Sequence, residues 1–260
     1  MNRLILDVLS NENIGKNLFQ LCLNHNFKLK SAHPGQFVNI KIDNSFTPLL
    51  RRPFSISRII RNEIIIIYKI VGRGTAILSR KKRGDTVDIL GPLGKGFTLP
   101  GKDAHYIILA AGGTGTAPLI FLRESLMEEG FNPIFFIGAK SKDELIYSKD
   151  FGEAILCTED GTAGFKGTVI EALFDFHRKN PGTKSIYACG PEEMLRSISK
   201  FSLENGYPCQ ISTENYMGCG TGLCFGCAVK TSTSFLEISD KRYLLACRDG
   251  PVFDAQQVEL

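Results

Sequence analysis

The 260-residue chain holds no apolar run long enough to cross a bilayer. Stretches such as Ile107 to Ala111 and Ile64 to Ile67 fall far short of the roughly 20 residues a spanning helix needs. A strong excess of one charge is also missing: 31 Lys and Arg face 27 Asp and Glu, a net charge of +4. The densest basic cluster, Arg80-Lys81-Lys82-Arg83, ends at a Gly84-Asp85 turn, which reads as a solvated face. It is too narrow for the basic stripe of a nucleic-acid-binding protein. The start, MNRLILDVLSNENIGKN, turns polar after nine residues, unlike a secretory leader, so a cytoplasmic location is expected. Reducing conditions there disfavour disulfides and point cysteines toward metal or redox work. No internal repeat or low-complexity segment is visible. No Ser/His/Asp or Cys/His nucleophile set emerges either, because His25, His33, His105 and His177 are scattered.

What is present is a 43% hydrophobic chain, enough for two domains and a small third. Residues 1–98 alternate as strands do: QFVNIKI has period two, EIIIIYKIV is β-branched, and Pro34-Gly35, Gly72-Arg73-Gly74 and Gly91-Pro92 punctuate the run. Many short strands with few helices predict an antiparallel β-barrel. Residues 99–205 alternate strand and helix. HYIILAAGG, NPIFFIGA, EAILCTED and SIYACG read as strands, and APLIFLRESLMEEG, TVIEALFDFHRK and PEEMLRSISKFSLENG as helices. That pattern predicts an α/β domain with a parallel sheet. Residues 206–260 are cysteine-bearing, and their apolar content makes a marginal core; a bound metal centre would stabilise such a small domain.

The most specific local signal is MGCGTGLCFGC, with Cys219, Cys224, Cys227 and Cys247 spaced C-x4-C-x2-C-x19-C. The first three match the plant-type [2Fe-2S] spacing. Glycines between them remove side chains where backbone must approach sulfide, and they let amides turn inward. A zinc site usually pairs two C-x2-C knuckles, and one is present here; zinc and disulfides are the alternatives. Cys22, Cys157, Cys189 and Cys209 sit singly in apolar contexts and read as buried small residues, with Cys189 notable for ending a strand before Gly190-Pro191.

Three further turns favour anions. LAAGGTGTAP joins a strand to a helix, so Gly113 and Gly115 either make a tight turn or admit a diphosphate near a helix N-terminus; Pro118 stands where the dinucleotide fingerprint has its third glycine. In LLRRPFSIS, Arg51 and Arg52 read alone as an exposed strand end; the alternative is a phosphate clamp with Phe54 as a flat face. KIVGRGT adds amides and the Thr75 hydroxyl, and two such turns on one barrel suggest a flavin dinucleotide.

With these residues the chain resembles the ferredoxin–NADP reductase superfamily, and within it the electron-transfer subunits of type B, NAD-dependent dihydroorotate dehydrogenase. The resemblance is carried by PGQFVNI, PLLRRPFSI, YKIVGRGT, DILGPLGKGF, ACGPEEML, ENYMGCGTGLCFGC and CRDGPVFDAQQV. It implies FAD on Arg52, Pro53, Phe54, Ser55, Ile67, Tyr68, Lys69, Gly74 and Thr75. Phe54 stands where many reductases have Tyr. It implies NAD beside Gly113, Thr114, Gly115, Cys189, Gly190 and Pro191, and a cluster on Cys219, Cys224, Cys227 and Cys247. It also implies an FMN-containing catalytic partner in a two-plus-two heterotetramer working in pyrimidine biosynthesis. Lys140 and Ser141 stand where an acidic residue would favour NAD over NADP. Two other readings share the layout: the flavin subunit of an NADH-dependent ferredoxin:NADP+ oxidoreductase, or of a cytoplasmic hydrogenase. A zinc-stabilised regulatory module is the reading without redox chemistry.

Overall fold

The computed structural model describes residues 2–26, 29, 31–43, 47–101, 104–147 and 153–260. Its first sheet contains β1 (Asn2–Gly15), β2 (Leu18–Asn24), β3 (Phe37–Lys41), β4 (Arg52–Ser55), β5 (Arg58–Ile60), β6 (Glu63–Lys69) and β7 (Thr86–Leu93). The order is β4-β3-β7-β1-β2-β6-β5, antiparallel throughout. The two edges meet through the turn between β4 and β5: the Ile56 amide donates to Gln36 O beside β3, and the Ser57 amide to Ile65 O of β6. The sheet is thereby closed into the predicted barrel.

Strand alternation places Leu6, Val8, Val38, Ile40, Val87 and Ile89 inside. The four isoleucines of β6 break that alternation because both faces of the strand are covered. Ile64 and Ile66 fill the barrel, while Ile67 joins the core of the next domain. A short helix, α1 (Arg73–Leu78), follows β6.

The second sheet holds β8 (Tyr106–Gly112), β9 (Ile134–Ala139), β10 (Ile155–Thr158), β11 (Phe165–Lys166) and β12 (Lys184–Cys189). Two strands of the C-terminal segment, β13 (Cys209–Ser212) and β16 (Val252–Asp254), extend it. The order is β11-β10-β9-β8-β12-β13-β16, parallel except for β16. Helix α2 (Thr116–Glu128) covers one face with Leu109, Phe135 and Ile137. On the other face the alternate residues Ile108, Ala110 and Phe136 meet α3 (Val169–Lys179) and α4 (Glu192–Glu204). Helix α3 begins with a capping box: the Thr168 hydroxyl accepts from the Glu171 amide, and the Glu171 carboxylate accepts from the Thr168 amide.

β8 lies between β9 and β12, so the chain's path across the sheet reverses there. Open α/β sheets bind ligands at such a reversal, beyond the strand C-termini. Here those termini carry Gly113–Gly115 and Gly190-Pro191.

The rest of the C-terminal segment forms β14 (Ala228–Lys230), α5 (Thr233–Ser239) and β15 (Tyr243–Leu245). β14 and β15 pair antiparallel, and α5 occupies their connection. Ser232 caps α5 by accepting from the Phe235 amide. Cys227, Val229, Leu244, Leu245 and Cys247 share a core with the nucleotide-type sheet, so this small region does not stand on its own apolar content. No helix among the described residues is long and apolar enough to cross a membrane.

Candidate functional site

Two cavities open on the cleft between barrel and sheet, of about 280 and 510 Å³. Lys69, Thr114 and Glu214 line both, so the cavities adjoin.

The smaller cavity gathers Arg52, Pro53, Phe54, Ser55, Ile67, Tyr68, Lys69 and Thr75 from β4, β6 and α1. Gly74 stands behind it, where a Cβ would lie 3.4 Å from Arg52 Nε. The buried Phe54 ring meets Tyr68 edge-on at 5.6 Å, and Phe19 stacks on Tyr68 from the other side. The Tyr68 hydroxyl donates to Asn11 Oδ1, and burial pushes its phenol up to about 12. Tyr68 therefore stays neutral and fixed.

The adjacent arginines divide their work. Arg51 turns away to Asp88, with Nη2 at 2.8 Å from the carboxylate and Nη1 at 2.9 Å from the carbonyl, so it serves the barrel and not the cavity. Arg52 lines the cavity and steadies itself on Leu50 O. The Thr75 hydroxyl accepts from the Val71 and Gly72 amides, ordering the start of α1. An aromatic face, a guanidinium and small hydroxyl side chains suit a flat ring carrying phosphates, so the residues fit FAD.

The larger cavity is lined by Gly112, Gly113, Thr114, Gly190 and Pro191. Nothing lies within 4 Å of where a Gly113 Cβ would sit, so that backbone is open to the cavity. Gly115 does the opposite: a Cβ there would stand 2.1 Å from Cys189 O, and it locks the two loops together. Cys189 lines the smaller cavity, and burial pushes its thiol well above the ordinary range. Burial also raises Cys22 and Cys209 to about 12 and Cys157 to about 11, in keeping with packing roles. Of the pair expected to meet the ribose, Lys140 lines the cavity, while Ser141 precedes the turn Lys142–Glu144.

Several lining residues come from segments that carry no motif. Lys16 and Leu18 belong to the turn and strand after β1, and Glu159 follows β10. The Glu159 amide donates to Ala139 O and the Asp160 amide to Lys140 O, which brings Glu159 beside Lys140. Glu214 follows β13; solvent reaches it through the cleft, but the surrounding protein pushes its carboxyl up, opposed by the Thr114 hydroxyl. Its place beyond a strand C-terminus is the signal that would have found it.

The cysteine loop lies beside the smaller cavity, which Met217 and Pro251 also line. Its backbone amides point at sulfur. Thr221, Leu223 and Cys224 donate to Cys219 Sγ at 3.3–3.4 Å, Gly222 to Cys247 Sγ at 3.1 Å, Cys219 to Cys224 Sγ at 3.5 Å, and Cys247 to Cys227 Sγ at 3.4 Å. Burial pushes the Cys219 thiol up, but hydrogen bonds from Thr221, Cys224 and Leu223 outweigh it and bring it down to about 5. The thiols sort into two pairs: Cys219 with Cys224 near the surface, and Cys227 with Cys247 buried, their sulfurs 3.2 Å apart. Two thiolates per iron is what a two-iron centre requires. Among the described residues no three His, Cys, Asp or Glu side chains converge closely enough to hold a metal ion, so the case for a cluster rests on the chemistry of the four thiols and the amides aimed at them. The donor set fits a [2Fe-2S] cluster.

A closed barrel, a nucleotide-type sheet and a cysteine loop at their junction define a flavin reductase of the ferredoxin–NADP reductase fold. The fold is shared with a ferredoxin NADP+ reductase from Neisseria gonorrhoeae (TM-score 0.65, 16% identity, 79% of this chain and 92% of that one). It is closer to an NADH-dependent reduced ferredoxin–NADP oxidoreductase (TM-score 0.82, 30% identity, 98% and 89%). Residues 109–200 match the oxidoreductase NAD-binding domain, and residues 214–259 the iron-sulfur cluster binding domain of dihydroorotate dehydrogenase B. The chain is 42% identical over 233 residues (87% of each chain) to the dihydroorotate dehydrogenase B (NAD(+)) electron transfer subunit of Desulforamulus reducens. It is 36% identical over 270 residues (100% of each) to that of Bacillus velezensis. The chain belongs to the family of dihydroorotate dehydrogenase B (NAD(+)) electron transfer subunits.

Proposed function

We propose that this chain is the electron-transfer subunit of an NAD-dependent dihydroorotate dehydrogenase in pyrimidine biosynthesis. It works in the cytoplasm beside an FMN-bearing catalytic subunit, in a two-plus-two assembly. When bound, a [2Fe-2S] cluster would supply one-electron transfer, and FAD would supply the change from single electrons to hydride transfer that turns NAD+ into NADH. The three domains, taken as 1–98, 99–205 and 206–260, correspond to these three tasks.

The residues supply binding, orientation and exclusion of water. Arg52 would hold the FAD phosphates, and Phe54, Ser55 and Thr75 would line the remainder of its cavity. Gly113 opens backbone to the nucleotide diphosphate, and Glu214 stands where the two cavities meet. Cys219, Cys224, Cys227 and Cys247 would hold the iron, with amide N–H groups stabilising charge on sulfur. In this reading the oxidation of dihydroorotate itself belongs to the partner subunit.

The observation that carries this reading is the paired thiol set, ringed by inward amides, against a cavity lined by an aromatic face and a guanidinium. Co-purification with the partner tests it: dihydroorotate should reduce NAD+ through a preparation containing FAD, iron and acid-labile sulfide. Protein handled without oxygen that lacks both iron and sulfide would refute it. Lys140 in the nucleotide cavity favours a second reading, a subunit acting with ferredoxin and NADP. NADP+ reduction that depends on ferredoxin and ignores dihydroorotate would select that one.

A further inference from the structure

Between the smaller cavity and the cysteine loop stands a polar side chain that the proposed function does not use. Asn39 lies in the middle of β3 and is completely buried. Val38 and Ile40 point into the barrel, so Asn39 faces outward with Phe37, toward the C-terminal segment. There its Nδ2 donates to the carbonyl of Cys219 at 3.3 Å. That contact fixes the amide's orientation, because the flipped form would set two oxygens against each other. Oδ1 has no hydrogen-bond partner among the described residues.

A buried acceptor left unmatched is costly, and an apolar side chain of similar size would avoid it. The donor must therefore do something that an apolar residue cannot. The loop is shaped for this contact: Gly220 has φ +71°, and a Cβ there would stand 2.5 Å from Asn39 Nδ2. The other side of Asn39 is tied to the flavin cavity. Its backbone pairs with Pro53 of β4, and its carbonyl accepts from Arg51, which Asp88 holds in turn.

We propose that Asn39 is a positioning residue that joins the flavin-binding strand to the cluster-binding loop and sets the placement of Cys219. The proposal rests on the reading of Cys219 as a cluster ligand. Asn39 transfers no atom. Oxidation of dihydroorotate at the partner supplies two electrons and releases two protons, and the electrons pass one at a time across the junction that Asn39 braces. The bonded route runs from Pro53 through the β3–β4 ladder to Asn39, and by one hydrogen bond to Cys219.

The test uses the complete complex with Asn39→Asp, which keeps the volume but replaces the donor, and Asn39→Leu, which removes both polar atoms. Both should retain FAD and NADH oxidation by an artificial acceptor at the flavin. The electron paramagnetic resonance spectrum of the reduced cluster should change, and its reoxidation by NAD+ should slow by about tenfold, as loss of an outer-shell partner does. Loss of iron with FAD retained would also support the proposal, because it confines the effect to the loop. Loss of both groups together would overturn it in favour of a general packing role. Full iron content with wild-type spectrum and rate in both variants would overturn it while leaving the relay intact. A wild-type protein without iron or sulfide would remove the relay reading itself, and this proposal with it.

Discussion

The cysteine loop and the nucleotide loop are both rich in glycine, yet glycine does opposite jobs in them. Around the sulfurs it lets a short segment fold inward, so that amides converge on the thiols. At the sheet's reversal point, Gly115 faces away from the cavity, and its missing side chain admits the carbonyl of Cys189. Two neighbouring glycines in GGTGT thus differ: Gly113 opens to a ligand and Gly115 to another piece of backbone. A glycine-rich turn in a sequence announces close approach but does not name what approaches.

The sharpest way to break this comparison is at the cysteines. Cys224→Ser removes an exposed thiol. It should abolish dihydroorotate-dependent NAD+ reduction while sparing NADH oxidation at the flavin. Cys227→Ser and Cys247→Ser act on buried members of the shared core, so they should also lower thermal stability. Measurement of iron, both activities and melting temperature separates the two pairs. Equal melting losses in all three variants would contradict the division into outer and inner thiols.

The glycine pair comes next. Gly115→Ala forces a Cβ against backbone that is held in the sheet, and should cost about 3 kcal/mol, or roughly 6–12 °C in melting temperature. Gly113→Ala meets open space at φ +52° and should cost about 1 kcal/mol. Its larger effect should be weaker NADH binding, measured by titration. If the two variants melt alike, the distinction between ligand-facing and backbone-facing glycines fails.

The legibility of the two regions differs for the same reason. Ligand spacing is a local property, so C-x4-C-x2-C could be read directly, and strand alternation revealed the barrel. The nucleotide cavity is assembled from distant pieces. Glu159 and Glu214 enter it because strands end at one edge of the sheet, and Lys16 reaches it from the β1–β2 turn of the barrel; no local pattern marks them. Arg51 and Arg52 looked equivalent in LLRRPF, but neighbouring residues of extended chain point to opposite sides, and Asp88 claims one of them. The run of isoleucines in β6 concealed which residues face α2, because both faces are apolar.

Glu159 sharpens the comparison at the far end of the nucleotide cavity. It lies beside Lys140, so a carboxylate able to accept from ribose hydroxyls adjoins an ammonium able to accept a phosphate. Glu159→Gln should weaken NAD+ binding by about tenfold, the worth of a hydrogen bond to a charged group, and narrow the preference over NADP+. Parallel titrations with both nucleotides would show it. An unchanged ratio would assign selectivity elsewhere in the cavity.

The smallest effect is expected where the barrel touches the nucleotide domain. Lys69 Nζ lies 3.1 Å from Glu144 Oε2, across the entrance shared by Lys16 and Lys140. The hydrogen bond and charge of Lys69, with smaller contributions from Lys16 and Lys140, hold the Glu144 carboxyl below its ordinary value. A depressed carboxylate stabilises the fold above its unfolded-state pKa, and that contribution is lost as pH falls through the folded value. The pair is partly exposed, so solvent screening keeps it to about 1 kcal/mol or less. Glu144→Gln should therefore melt almost as the wild type does at neutral pH and identically once the carboxyl is protonated. A larger loss, or one that persists in acid, would mean that this contact holds the two domains together by packing and not by charge.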